Sequence, residues 1–323
     1  MFSKKEKWFN PTILILFFGI GLSICSAKQD IMQKEKTPGI IAVSKNELTA
    51  PKDEPFNMPT DVTVGPEGIT YVLDGVNNRV VVYDVNGKFR FQFGISGSKL
   101  GQFSFPLGIA TDLNGKVYIA DSGNHRFQVF EPNGIPLEAI ALPAKQSNMP
   151  PDPTDVVIDS ARYRLYIADN DNHHILVYNL ISHSFDSVWG NPGQGELQFR
   201  FPFLMDISNQ GYLFVVEPIN TRVQVLNPNG KFVNFIGAWG VEAGQLFRPK
   251  AVTIYNDKVF VSDSYLGRIE IFDIRGNFIS VLTDTEGTPI KFITPTGIAI
   301  DSERKRLYVV ELKANRVCRL DLE

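Results

Sequence analysis

Cysteine is nearly absent from this chain: 323 residues contain two, Cys25 and Cys318. With Cys25 belonging to an N-terminal segment treated below, no second thiol remains for an intramolecular disulfide, and the fold must hold by packing alone. Histidine is almost as scarce, with four copies, and neither a Gly-x-Ser-x-Gly elbow nor a phosphate-cradling glycine loop occurs. Thirty-two Lys and Arg stand against 35 Asp and Glu, for a net charge of −3. No basic stripe forms, which argues against nucleic acid as a partner. What is present is 43% hydrophobic residues, 21% charged residues and an unusual 24 phenylalanines, the composition of an ordered globular chain.

The dominant positive signal is a repeat. A proline followed by a short apolar strand recurs six times, about every 47 residues, at Pro59, Pro106, Pro153, Pro202, Pro249 and Pro295. Some 15 residues after each proline stands an acidic residue, with a basic one five positions on. These pairs are Asp74/Arg79, Asp121/Arg126, Asp169/His174, Glu217/Arg222, Asp263/Arg268 and Glu311/Arg316. Each unit holds room for four short strands: an innermost one after the proline, an aromatic-rich second, a third starting at the basic residue, and a fourth such as Phe89-Arg90-Phe91-Gln92-Phe93. Turn pairs such as Asn114-Gly115 and Asn133-Gly134 separate them. A four-stranded unit of this length predicts an all-β, six-bladed β-propeller over residues 38–323. The sixth unit ends after its third strand, so the extended stretch Gly39–Leu48 is expected to complete the last blade and close the ring.

The clearest copy reads Pro106-Leu107-Gly108-Ile109-Ala110, then Tyr118-Ile119-Ala120-Asp121-Ser122-Gly123-Asn124-His125-Arg126, preceded by the linker Gly97-Ser98-Lys99-Leu100-Gly101-Gln102-Phe103. This pattern resembles the NHL repeat, and the resemblance runs over roughly residues 39–323. It implies the propeller fold but no single function, since proteins of this kind include enzymes, RNA binders, sensors and scaffolds.

The N-terminus resembles an export signal. Lys4, Lys5 and Lys7 precede Thr12–Ile24, an uncharged and almost wholly apolar stretch too short to span a bilayer as a helix. Leu22-Ser23-Ile24-Cys25 resembles a bacterial lipoprotein box, apart from Ile24 where a small residue is usual. The resemblance implies a signal peptide over 1–24, lipidation at Cys25 and a tether over 25–37, with Ser26 favouring outer-membrane sorting. Cleavage after Ala27 and a retained anchor are the alternatives. All three place the propeller outside the cytoplasm, in a bacterial cell envelope.

Strand parity sorts the loops. The turns between second and third strands share one face with the crossovers between blades. That face collects the acid/base pairs and many aromatics, and Phe103, Phe105, Arg126, Phe201, Phe203, Trp239 and Phe247 are its candidate binding residues, aromatics and arginine being what interaction hot spots favour. A turn carrying opposite charges in every blade also has a purely structural use, tying two strands together. For a metal, Asp61, Asp155 and Asp206 lie near the expected channel and could attract a divalent cation such as calcium. The turn Asp169-Asn170-Asp171-Asn172-His173-His174 is a second, weaker set. Among NHL-like proteins, peptide-amidating lyases hold zinc through histidines just after the repeat proline. Those positions here are Thr60, Leu107, Thr154, Phe203, Lys250 and Thr296, with no histidine among them. The expectation is therefore a monomeric, membrane-anchored platform, without a resident cofactor, for another envelope protein or a small ligand. A metal-dependent lyase or hydrolase at the channel mouth is its rival.

Overall fold

The computed structural model describes residues 40–144 and 149–323. The expected signal peptide, Cys25 and the tether lie outside the described residues. Among the described residues no helix is long and apolar enough to cross a membrane.

Six four-stranded antiparallel sheets form the blades of an all-β propeller. Blade 2 shows the common plan: Pro106–Thr111 innermost, then Val117–Asp121, Arg126–Phe130 and Pro136–Ala141 outermost. The second and third strands are buried along nearly their whole length, whereas the outermost strand alternates half-buried and exposed residues. That difference follows from position: inner strands are covered by blades on both faces, while the last faces solvent on one side. The β-branched and aromatic residues of the middle strands supply the shape these contacts need.

The sixth blade is assembled from both ends of the described chain. Pro295–Asp301, Arg306–Glu311 and Arg316–Leu322 are joined by Ala42–Leu48, which pairs antiparallel with the strand 316–322 from Ala42 opposite Leu322 to Leu48 opposite Val317. Glu47 adds an ion pair to Arg316 at 2.7 Å.

Hydrophobic clusters lie between successive blades rather than in one central core. One contains Tyr71, Leu73 and Val80 of blade 1 with Ile109, Ile119 and Phe130 of blade 2. Another joins Val72 and Val81 of blade 1 to Tyr308 and Val310 of blade 6. Each blade thus depends on its neighbours, as expected of a repeat architecture that buries its core by stacking. The innermost strands are left around an axial channel of about 230 Å³.

Candidate functional site

The recurring acid/base pairs are built into the protein as latches. Asp121 is fully buried and takes the Arg126 Nε at 2.7 Å, the Gln128 Nε2 at 2.9 Å, the Asn124 side chain and the Ser104 backbone N–H at 2.8 Å. The rest of the Arg126 guanidinium donates to the carbonyls of Ser98, Lys99 and Gln102 at 2.8–2.9 Å. Arg222 repeats this arrangement with Glu217 and the carbonyls of Gln194, Gly195 and Gln198. The pair therefore ties a blade's turn to the crossover that leads into it. Arg126, expected as a contact residue, spends its donors inside the chain and has a side chain only 12% exposed.

Sixth-blade chemistry departs from the pattern without changing its role. Cys318 stands where blade 2 has Gln128 and donates its thiol to Glu311 at 2.9 Å. Burial and that carboxylate push the thiol up to about 12, which leaves it protonated and unreactive.

Phe103 also departs from expectation. It is fully buried, packed on Phe130 with ring centroids 5.5 Å apart, and plugs the space between blades. Phe199 and Leu246 occupy the matching place in two other crossovers, after Gln198 and Gln245. The glutamine before each plug folds back to accept a main-chain N–H of its own loop: Gln102 from Lys99, Gln198 from Gly195 and Gln245 from Glu242. A Gly-x4-Gln-Phe/Leu motif is the sequence signal that separates such plugs from surface aromatics.

The other aromatics of that face do reach solvent. Phe105 is 63% exposed and Trp239 is 70% exposed; Phe201 is 38% exposed and stacks edge-on against His173 at 4.4 Å. Phe247 is half-buried between Trp239 and Tyr265, 6.4 and 4.2 Å away. Backbone geometry sets these positions. Met58, Phe105 and Phe201 each precede a repeat proline and hold φ values of 49, 48 and 54°. Left-handed backbone is costly for such residues, more so before proline. Each is held there by its own N–H, donated to the preceding blade's turn at Asn315, Asn78 or His173.

Asp61, Asp155 and Asp206 all line the axial channel. Their oxygens are already engaged by the next blade: the N–H of Ile109 donates to Asp61 at 3.1 Å, Met205 to Asp155 at 2.6 Å and Ile254 to Asp206 at 3.0 Å. Burial, opposed by those N–H bonds, raises Asp61 to about 7, with a further upward push from Asp206. Asp155 is raised well above its ordinary value by burial and by Asp61, and Asp206 to about 6 by burial. The three carboxyls thus sense one another across the channel. Among the described residues no group of three or more His, Cys, Asp or Glu is arranged to hold a metal ion. The histidines are dispersed: His125 contacts the Pro151 carbonyl, His173 accepts from Phe201, His174 pairs with Asp169 at 3.2 Å, and His183 lies on an exposed rim beside Glu138.

Above the channel, on the crossover face, opens a second cavity of about 380 Å³. Met58, Val76, Phe105, Leu107, Phe203 and Leu312 make its wall, and Thr60, Lys250 and Thr296 supply its polar groups. Phe105 and Phe203 were legible candidates. Lys250 and Thr296 were legible only as positions where a zinc-binding histidine could have stood, and Met58 gave no signal.

Comparisons with known proteins agree with this architecture. Residues 103–130 match the NHL repeat family, and residues 242–323 match a family described as a 6-bladed beta-propeller. Over 131 residues the chain is 28% identical to the protein brain tumor of Drosophila melanogaster, covering 40% of this chain and 12% of that protein. The chain therefore spans about an eighth of the length of that curated relative. A streptogramin B lyase structure superposes with a TM-score of 0.59 at 17% identity, covering 87% of this chain and 98% of the other. A structural genomics protein of unknown function from Bacteroides thetaiotaomicron gives 0.63 at 17% identity, over 87% and 73% of the two chains. At these identities the likeness is one of fold. The chain is a six-bladed β-propeller in which residues 103–130 match the NHL repeat.

Proposed function

We propose that this propeller is a non-catalytic binding platform, held in the bacterial cell envelope through Cys25, whose working surface is the crossover face. The observation that carries the reading is the set of solvent-facing aromatics there. Phe105 and Phe201 are kept outward by left-handed backbone, and Trp239 is 70% exposed. Backbone strain persists where the surroundings over-determine it and is commonest at functional positions. Exposed large aromatics concentrated on one face are the raw material of binding hot spots. The rival, a metal-dependent lyase at the channel mouth, draws on the three channel carboxyls. Main-chain donors already occupy those carboxyls, which favours the platform.

The test is affinity capture from gently solubilised envelopes, comparing wild type with Phe105→Ser/Trp239→Ser, and with Cys25→Ser followed by membrane fractionation. A discrete partner lost with the aromatic variant, and release of Cys25→Ser into the soluble fraction, are the expected results. A partner retained by the aromatic variant would move the working surface elsewhere. Cys25→Ser that still sediments with membranes would point to a retained anchor.

A further inference from the structure

The cavity at the channel mouth has an apolar wall and a polar corner whose two groups lack the partners their neighbours have. Lys250 is half-buried among apolar residues, with its ammonium 4.7 Å from the centre of the Phe203 ring. Among the described residues it enters no ion pair with a carboxylate. Burial lowers its affinity for a proton, Arg248 lowers it further, and Asp263 offsets part of the effect from a distance. A desolvated ammonium with only an aromatic face for company is a costly arrangement unless an anion completes it.

The second group is Thr296, from the neighbouring blade. The two other threonines at this repeat position, Thr60 and Thr154, donate their hydroxyls to the carbonyls of the next repeat prolines, Pro106 and Pro202, at 3.3 and 3.1 Å. Thr296 is 6% exposed and lines the same cavity, and its hydroxyl has no hydrogen-bond partner. A buried hydroxyl left unsatisfied calls for a specific explanation.

Apart from Thr60 and Thr294 the remaining side chains of the wall are apolar, and two of them, Met58 and Phe105, are the left-handed residues described above. A volume of about 380 Å³ falls within the range of small-molecule sites, which combine an apolar lining with a few placed polar groups. We infer that this mouth binds a small molecule with one carboxylate and an apolar body, the carboxylate meeting Lys250 and Thr296 and the body lying against Phe105, Leu107 and Phe203. The inference rests on reading the crossover face as a binding surface and gives that surface a ligand class. A charge-assisted bond to lysine and a hydroxyl bond would orient the head, and burial of the chain would supply most of the affinity.

Decanoate and its uncharged twin, decan-1-ol, are the probes, titrated calorimetrically at pH 7 into wild type, Lys250→Met and Thr296→Val. Methionine preserves the volume of the lysine stem, and a thermal melt of each variant verifies folding. One decanoate per chain is expected, weakened at least tenfold by Lys250→Met and severalfold by Thr296→Val, while decan-1-ol binding is unchanged by Lys250→Met. Absence of saturable decanoate binding to wild type would overturn the inference, as would equal decanoate affinity in folded Lys250→Met. Equal loss of both probes would overturn it too, because the lysine would then be shaping the cup rather than reading charge. Lys250→Met is also carried through the envelope capture. A partner still captured by wild type that binds no decanoate refutes the ligand site and leaves the platform standing. Decanoate binding with no captured partner does the reverse.

Discussion

Asp61→Asn should change how the protein's stability depends on pH, and the channel geometry gives the size of the effect. Asp61 is 7% exposed, accepts the Ile109 N–H across the blade interface and faces Asp155 and Asp206. Its carboxyl is raised from 3.8 to about 7. Between those values the folded protein keeps a proton that the unfolded chain releases. The resulting stabilisation is complete below pH 3.8 and is lost as pH rises through about 7. One such group contributes a slope of up to about 1.4 kcal/mol per pH unit, or about 4 kcal/mol across the window. Asparagine matches the carboxyl in shape, can still accept from Ile109 and does not titrate. Urea unfolding midpoints of wild type and Asp61→Asn, measured at intervals from pH 4 to pH 8, give the comparison. Relative to the wild type, the variant should gain stability with rising pH, by about 1 kcal/mol per unit through the middle of the range. Groups outside the channel contribute equally to both curves and cancel in the difference, while Asp155 loses the upward push of Asp61 in the variant and adds to the same relative gain. Parallel curves would refute the reasoning, because they would mean that Asp61 ionises in the folded protein as it does in the unfolded chain.

Two further outcomes test the packing. Deleting residues 42–48 removes the strand paired with 316–322 together with buried Leu48 and Ala42. Stability should fall by about 2 kcal/mol or more, since burying one leucine is worth about 1.5–3 kcal/mol, and an unchanged urea midpoint would contradict a structural role for the strand. Gly108→Ala should cost about 1–3 kcal/mol by overpacking: a Cβ there would lie 2.6 Å from the Asp155 Cα and 2.8 Å from the Thr154 carbonyl oxygen. An alanine variant that melts with wild type would show that blades 2 and 3 can separate at no cost.

The legibility of this protein divides along a physical line. Strand position follows from local pattern: prolines at a fixed interval, alternating β-branched residues after them, and Asn-Gly turns between strands. These are short-range constraints written in adjacent residues, and the third strand of blade 2 begins at Arg126, the basic residue of its pair, as that pattern places it. The latch role of the acid/base pairs was foreseeable for the same reason, since five residues across a tight turn bring two side chains together. Exposure was not. Phe103 and Phe105 lie two residues apart in one loop, yet one is fully buried and the other is 63% exposed. Which of them faces solvent depends on Phe130 of the same blade and on Asn78 of the preceding one.

The candidate site shows the same division more strongly. The sequence alone determined the fold, the count of blades and the side of the ring on which the crossovers lie, because each depends on a period repeated six times. Tertiary structure alone decided that Lys250, Thr296, Met58 and Phe105, scattered over more than 200 residues, border one cavity. It also decided that the channel carboxyls are buried near one another, so that burial and mutual repulsion raise their affinity for protons. Ring closure is the reason. It juxtaposes equivalent positions of different repeats around an axis, and the individual residues at those positions, free to differ from blade to blade, carry the chemistry.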